Sequence, residues 1–323
     1  MATFGLSHLL LANSIRVAVR DNFFQINGEF LAPGYWVALS AKALRDRVDQ
    51  ESILFPSEEM AKYSSAIGFP RLVWGEDHYQ PIRVNEGRNY SSLTLLDIPE
   101  ATDIATGRIN NCIRQLLPNE EFRDFVNDLC SVVGDLHDNV WSHGLSSGVS
   151  MAQKWRATSY GQDESFLEFA LADCGTGFKT ELGRVGINLQ HDHEAIEWCI
   201  VEGHSTKKRK YVDDWAQSLP GDIMGNPIPG IGQAKVNDNH HMGLGLAKLV
   251  KLIQKFHGQL WLASGTDILI IESDGNKSYE SLAFPWKGVA VACRFCTADI
   301  RRAVRDEQDP EIDDLIRMLR RSK

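Results

Sequence analysis

The chain has 323 residues, of which 43% are hydrophobic and 24% charged, enough for about two globular domains with buried cores. Its 34 Lys and Arg against 43 Asp and Glu give a net charge of −9. This balance argues against a dedicated nucleic-acid-binding protein, which needs a positive face to displace counterions. No stretch approaches the ~20 apolar residues of a membrane span or has the layout of an export signal. The 6 cysteines are scattered, so we expect a cytoplasmic protein without a disulfide framework or a membrane partner.

Residues 1–99 indicate a small α/β unit. Residue periodicity predicts helices and strands in alternation: strands at 14–19, 53–55, 72–74 and 92–96, and helices at 35–48 and 57–67. This region loosely resembles STAS-like regulatory modules, which are small α/β units that often accompany bacterial anti-sigma-type ATPases. The resemblance implies a regulatory domain.

Residues 100–297 form the second predicted unit, followed by an amphipathic helical tail at 298–323. Periodicity predicts helices at 101–117, 119–142 and 244–257, and strands at 148–157, 165–172, 259–264, 267–272 and 288–296. Residues 205–242 interrupt this pattern with a basic run and then several glycines and prolines. Such a long irregular stretch is typical of a functional lid or a disordered insertion.

The first chemical motif lies near the end of the predicted helix 119–142. Asp135 and Asn139 are four residues apart and therefore share one helical face. An asparagine oxygen can bind Mg²⁺, and a carboxylate one turn earlier can orient a water beside the same phosphate. Two solvent-facing polar residues would give the same pattern, so the pair alone does not establish a site.

The second motif, Asp173-Cys174-Gly175-Thr176-Gly177, follows an apolar predicted strand. A carboxylate at a strand end can accept a hydrogen bond from the exocyclic amine of adenine. The glycines allow a planar ring to approach the backbone closely. A tight Asp-x-Gly turn without any ligand is the simpler interpretation when this motif is taken alone.

The third motif, Gly243-Leu244-Gly245-Leu246, opens the predicted helix after the irregular stretch. Glycines at this point expose backbone amides at a helix N-terminus, where phosphate oxygens can bind. The spacing matches neither the dinucleotide-binding Rossmann pattern nor the P-loop pattern. Both of those classes are therefore disfavoured.

In this order, the three motifs resemble the GHKL superfamily of ATP-binding domains, shared by histidine kinases, gyrase B, heat-shock chaperone ATPases, MutL and anti-sigma-factor serine kinases. Asp135 to Asn139 resembles the N box of that superfamily. Asp173 to Gly177 and Gly243 to Leu246 resemble its two glycine boxes. The resemblance covers about residues 100–296 and includes a histidine-glycine turn at 256–261.

The resemblance implies ATP and Mg²⁺ as cofactors and assigns roles to individual residues. Asn139 would bind Mg²⁺ and Asp173 the adenine amine. The other nucleotide-binding residues would be Gly175 and Gly177 at the base, Gly243, Leu244, Gly245 and Leu246 at the phosphates, and Thr206 and Lys207 in the segment 203–207 where the lid begins. The implied fold is a two-layer α/β sandwich, a mixed sheet with helices on one face, beside the smaller amino-terminal domain.

The expected function is ATP·Mg²⁺ binding that couples nucleotide state to residues 1–99 or to a separate protein partner. Asp135 is the expected catalytic residue, although ATP-hydrolysing members of the superfamily usually carry the longer Glu there. Alternatives are a serine or histidine kinase that acts on a separate protein, and a nucleotide-binding interaction protein without turnover. Both ATP and ADP are expected ligands.

Overall fold

The computed structural model describes residues 3–11, 16–18, 23–25, 30–77, 79–141, 146–159, 162–204 and 245–306. The predicted lid at 205–242 lies outside these ranges. Four of the predicted site residues also lie outside the described residues: Thr206, Lys207, Gly243 and Leu244.

The helices are α1 (Leu6–Leu10), α2 (Pro33–Asp46), α3 (Glu58–Ala66), α4 (Phe69–Trp74), α5 (Pro99–Leu116), α6 (Arg123–Asn139), α7 (Phe178–Arg184), α8 (Asp192–Ile200) and α9 (Gly245–Lys255). The strands are β1 (Thr3–Phe4), β2 (Arg16–Ala18), β3 (Phe23–Gln25), β4 (Phe30–Leu31), β5 (Ile53–Leu54), β6 (Thr94–Leu96), β7 (Gly148–Ser159), β8 (Gln162–Asp173), β9 (Gln259–Ile271) and β10 (Lys277–Cys296). Residues 297–306 are also helical and overlap the beginning of the predicted tail.

The predicted α/β sandwich is confirmed. Its centre is a 5-stranded sheet in the order β6-β7-β8-β10-β9. Every pairing in this sheet is antiparallel, whereas we expected a mixed sheet. The reason is that β7 connects to β8, and β9 to β10, by short hairpins, which only antiparallel neighbours allow. Parallel pairs occur in the smaller sheets, between β1 and β4 and between β3 and β5.

Both faces of the central sheet are apolar and both are covered by helices. On β8, Phe169 and Leu171 face the core beneath α5, α6 and α9. The alternate residues Ala170 and Ala172 face a second core that contains α1, α2 and residues of α3 and α4. The sequence predicted helices on one face only, whereas the structure has helices on both faces and therefore a third layer. The reason is that large apolar residues and alanines alternate along the strands, so that both faces are apolar.

Helix α2 is the centre of this added layer, and it is buried almost all round. Trp36 is 0% exposed. The amide of Gly34 donates to Glu168 Oε1 at 2.7 Å, and Arg294 Nε donates to Glu168 Oε2 at 2.8 Å. A Cβ at Gly34 would lie 2.8 Å from the Cβ of Ala292. Residues 1–99 thus share a core with the sheet, and the expected boundary at residue 100 does not separate two cores.

Among the individual predictions, the strand at 72–74 is wrong, since these residues lie in α4. Pro70 in the first turn favours a helix, and three consecutive apolar residues are too few to show a period that would distinguish a helix from a strand. The predicted strands 259–264 and 267–272 are one strand, β9, and β10 begins earlier than predicted, at Lys277. None of the described helices is both long and apolar enough to cross a lipid bilayer.

Candidate functional site

A cavity of about 100 Å³ opens between the helical layer of α6 to α9 and the strands β8 and β10. Its wall is mainly apolar, formed by side chains such as Leu136, Leu171, Phe178, Val289 and Val291. A few polar groups interrupt this wall. Small-molecule sites usually combine an apolar wall with sparse polar groups in this way.

The cavity brings together residues from all three sequence motifs. Asn139 lies on its wall at the end of α6, Asp173 at the end of β8, Gly177 directly before α7, and Leu246 in the first turn of α9. Gly175 is next to the wall, where its amide donates to Asp173 Oδ1 at 2.8 Å. These segments are far apart in the chain, so the fold creates their proximity.

Asp173 is a strongly perturbed polar group of the cavity. The residue is only 5% exposed. Burial raises the pKa of its carboxyl to about 7, and backbone hydrogen bonds from Gly175 and Val289 oppose this shift. The carboxyl therefore exchanges between the neutral and the ionised form near neutral pH, where either form can bind a polar group of a ligand.

The carboxyl of Asp173 rests on a bulge in β10 that the motifs did not reveal. The register of β10 against β9 shifts between Trp286 and Val289. Gly288 lies within this bulge at φ +88°, and a Cβ there would be 2.3 Å from Asp173 Oδ1. The Trp286 indole donates to the Asp173 carbonyl at 3.1 Å. A glycine inside a strand was the available signal, because it often marks a bulge or a close approach.

Ser264 fixes the turn that follows Asp173. Its hydroxyl donates to the Gly288 carbonyl at 2.9 Å and accepts from the Phe178 amide at 3.1 Å. At Gly177, φ is +74° and a Cβ would lie 3.0 Å from the Ser264 oxygen, so a side chain there would be strained and tightly packed. The sequence offered no signal for Ser264, because only the fold brings β9 to this turn.

Asp135 lies beneath the first turn of α9 and is absent from the cavity wall described above. The residue is 2% exposed, and its Oδ2 is 2.8 Å from Lys248 Nζ. A Cβ at Gly245 would lie 2.8 Å from the Asp135 Cβ, so this glycine allows α6 and α9 to approach closely. The expected roles of Asp135 in catalysis and of Gly245 at phosphates stay predictions.

The structure also bears on a histidine within the first motif. His137 is 0% exposed, and its Nδ1 lies 2.8 Å from the Thr106 hydroxyl oxygen. Burial lowers the pKa of this imidazole to about 3. His137 is therefore a neutral core residue, and a protein substrate or a phosphate donor has no access to it in this conformation.

Among the described residues, no group of three or more His, Cys, Asp or Glu side chains is placed to hold a metal ion. Mg²⁺ in nucleotide sites is commonly held by one or two protein oxygens, with phosphate and water as the other ligands. The amide oxygen of Asn139, at the cavity wall, fits that limited role. A metal here would depend on the phosphates of a bound nucleotide.

The chain matches no protein-family model, no curated protein and no solved structure. The interpretation of the cavity therefore depends on its own geometry and on the motifs that meet there.

Proposed function

We propose that the chain binds ATP with Mg²⁺ in this cavity and acts as a GHKL-type nucleotide-dependent switch. The observation that carries the proposal is the convergence of Asn139, Asp173, Gly177 and Leu246 on one apolar cavity. Each motif alone also occurs in turns and helix ends that bind nothing. Their meeting at a single cavity supports a shared ligand.

The environment of Asp173 supports adenine as the base. Its carboxyl is buried, and the surrounding wall is apolar. An ionised carboxylate only accepts hydrogen bonds, and the exocyclic amine of adenine is a donor. Guanine would present a carbonyl oxygen at the corresponding position. When Asp173 is ionised, two acceptors facing each other in a buried site are costly, so that form of the cavity favours ATP and ADP over GTP.

Asn139 supports the position of the phosphates. It is half-buried at the carboxyl end of α6 and contributes to the cavity wall. When bound, Mg²⁺ would neutralise phosphate charge in this apolar surrounding. Asn139 would hold the metal by its amide oxygen, and Leu246 and the other apolar side chains contribute the apolar part of the same cavity wall.

The ion pair between Asp135 and Lys248 favours nucleotide binding with little or no hydrolysis. A water-orienting base must reach the attacking water, and Asp135 instead lies 2.8 Å from the Lys248 ammonium. A kinase that phosphorylates a separate protein is the second candidate. Incubation with γ-labelled ATP distinguishes the three outcomes, which are label on a protein, free phosphate, or neither. We expect neither as the dominant result.

Contacts behind Asp173 support coupling to the amino-terminal layer. The indole of Trp286 donates to the Asp173 carbonyl, and the Arg45 guanidinium of α2 lies 5.8 Å from the Trp286 ring centre. The Cys174 thiol donates to the Ala41 carbonyl of α2 at 3.4 Å. A nucleotide that moves the Asp173 turn would therefore act on α2 through two short routes.

Calorimetric titration of the full chain with ATP and GTP, each with Mg²⁺, tests the proposal. We expect ATP to bind at least about tenfold more tightly than GTP, and Asp173→Asn to remove most of this preference. Asp128→Asn is the matched control, because Asp128 is exposed on α6. Equal affinity for both nucleotides, or no binding of ATP, would refute the proposed function.

A further inference from the structure

Two aromatic side chains at the end of α8 form a part of the cavity that none of the motifs explains. Trp198 and His204 both lie on the cavity wall. Their rings are stacked, with centres 4.6 Å apart and planes inclined by 25°. Gly203, at φ +81°, makes the turn that returns the chain to α8. The stack limits the orientations that the His204 ring can adopt.

A hydrogen bond determines which nitrogen of His204 carries the proton. Nδ1 lies 2.9 Å from the Trp198 carbonyl oxygen, which can only accept. Nδ1 must therefore be the donor, and in the neutral ring Nε2 is left with a lone pair. In the described part of the chain, no hydrogen bond to Nε2 is present. The cavity thus includes a ring whose second nitrogen is an acceptor.

We infer that His204 Nε2 accepts a hydrogen bond from a ribose hydroxyl of the nucleotide and makes the site selective for ribonucleotides. This inference rests on the proposed function. ATP has two kinds of hydrogen-bond donor, the adenine amine and the ribose hydroxyls, and Asp173 is the partner proposed for the amine. Phosphate oxygens are acceptors and would face the Nε2 lone pair unfavourably. The sugar hydroxyls are therefore the groups of ATP that match His204.

The stack with Trp198 makes this recognition efficient. A side chain that is already held in place loses little conformational freedom when a ligand binds, so more of the hydrogen-bond free energy appears as affinity. The bond from Nδ1 to the Trp198 carbonyl and the contact between the two rings both hold the imidazole. His204 is thus a positioned recognition group.

The test compares ATP, 2′-deoxy-ATP and 3′-deoxy-ATP by calorimetry at pH 8, where imidazole is normally neutral. In the parent protein, we expect one of the deoxy nucleotides to bind about three- to tenfold more weakly than ATP. His204→Asn retains an amide at the Nδ1 position and lacks an atom at the Nε2 position. His204→Phe keeps a ring against Trp198 and lacks both nitrogens. Both variants should bind ATP and the deoxy nucleotides equally.

His204→Gln, which places a polar amide near the Nε2 position, should retain part of the discrimination. Thermal melting verifies that each variant is folded. Equal binding of ATP and both deoxy nucleotides by the parent protein would overturn the inference while leaving the proposed function intact. If His204→Asn still binds ATP more tightly than a deoxy nucleotide, the inference is overturned too, because the preference would then not need an acceptor at the Nε2 position. Absence of ATP binding in the parent protein would instead refute the proposed function, and the inference with it.

Discussion

The two faces of the central sheet are built from the same strands but have different partners. The face toward α6 and α9 has large side chains such as Phe169 and Leu171, and the cavity opens at its edge. The face toward α2 has alanines at 170, 172, 290 and 292, which allow a fully buried helix to lie close to the strands. Small residues permit close packing, whereas large residues with gaps between helices leave room for a ligand.

We expect the two faces of the sheet to contribute to different properties of the protein, one to its stability and the other to nucleotide binding. The face toward α2 contains the buried Glu168, which pairs with the partly buried Arg294, and should contribute mainly to the free energy of unfolding. The cavity face contains Asn139 and Asp173 and should contribute mainly to nucleotide affinity. Gly288 lies where the two faces meet, directly behind the Asp173 carboxyl. Substitutions at these positions can therefore test the separation.

The largest expected effect is at Glu168, which is 0% exposed. Glu168→Ala leaves the Arg294 guanidinium and the Gly34 amide without their carboxylate partner. Removing one member of a buried ion pair costs about 3–5 kcal/mol of stability. Urea unfolding measures this loss, and calorimetry at low temperature should show an ATP affinity close to that of the parent protein.

Two further variants serve as controls for the Glu168→Ala experiment. Glu168→Gln keeps an oxygen for the Gly34 amide and should lose less stability, so it remains usable if Glu168→Ala does not fold. Glu120→Ala breaks the exposed pair with Arg123 and should have no measurable effect, as is usual for surface ion pairs. A similar stability for Glu168→Ala and Glu120→Ala would contradict the importance of the α2 face.

Gly288→Ala should affect stability and binding together. A Cβ at this position would lie 2.3 Å from Asp173 Oδ1 and 2.6 Å from the Gly175 nitrogen. We expect a loss of about 2 kcal/mol or more in the free energy of unfolding, together with a loss of ATP binding. Gly275→Ala is the matched control, because Gly275 has a similar φ of +86° and no neighbouring atom within 4 Å. Equal effects of the two substitutions would show that the contact with Asp173 is unimportant.

The pH dependence of stability provides a further test. Burial raises the pKa of the Asp173 carboxyl to about 7, above the ordinary value of 3.8. The folded state therefore binds this proton more tightly than the unfolded state does. Without ligand, the contribution of Asp173 should make the protein less stable as pH rises from about 4 to about 7.

Asp173→Asn, which resembles the protonated carboxyl, should remove this part of the pH dependence. Urea unfolding at pH 5 and pH 8 measures it as the difference between the parent protein and the variant. A stability loss of the same size in both proteins would show that Asp173 does not titrate as described.

Asn139→Ala should affect affinity with little change in stability, the reverse of Glu168→Ala. Loss of the amide oxygen removes the protein ligand proposed for Mg²⁺, so ATP affinity in Mg²⁺ should fall about tenfold. ADP affinity without metal should remain close to that of the parent. Asn127→Ala, at an exposed position of the same helix, is the control. If the parent protein and Asn139→Ala have the same ATP affinity both with and without Mg²⁺, Asn139 does not bind the metal.

Sequence periodicity was sufficient for most of the helices and strands. Long amphipathic segments such as α5 and α6 were predicted to within a few residues, because a helical period is clear over many turns. The third layer was missed for a physical reason. Alanines such as Ala170 and Ala292 look uninformative in a sequence, although they determine how closely α2 approaches the sheet.

The motifs predicted part of the candidate site. Asn139, Asp173 and Gly177 do share a cavity, whereas the support behind Asp173 comes from residues far along the chain. Ser264 and Gly288 act through tertiary contacts, and a short motif carries no information on such contacts. The same limit applied to Asp135, whose ion pair with Lys248 depends on how α6 and α9 pack.

A crystal structure of the protein with a non-hydrolysable ATP analogue and Mg²⁺ tests the central claim most directly. The account predicts the adenine amine within hydrogen-bond distance of the Asp173 carboxyl, and a metal bound to the Asn139 amide oxygen and to phosphate. Nucleotide bound at another surface, or a base that lies in the cavity without contact to Asp173, would contradict it.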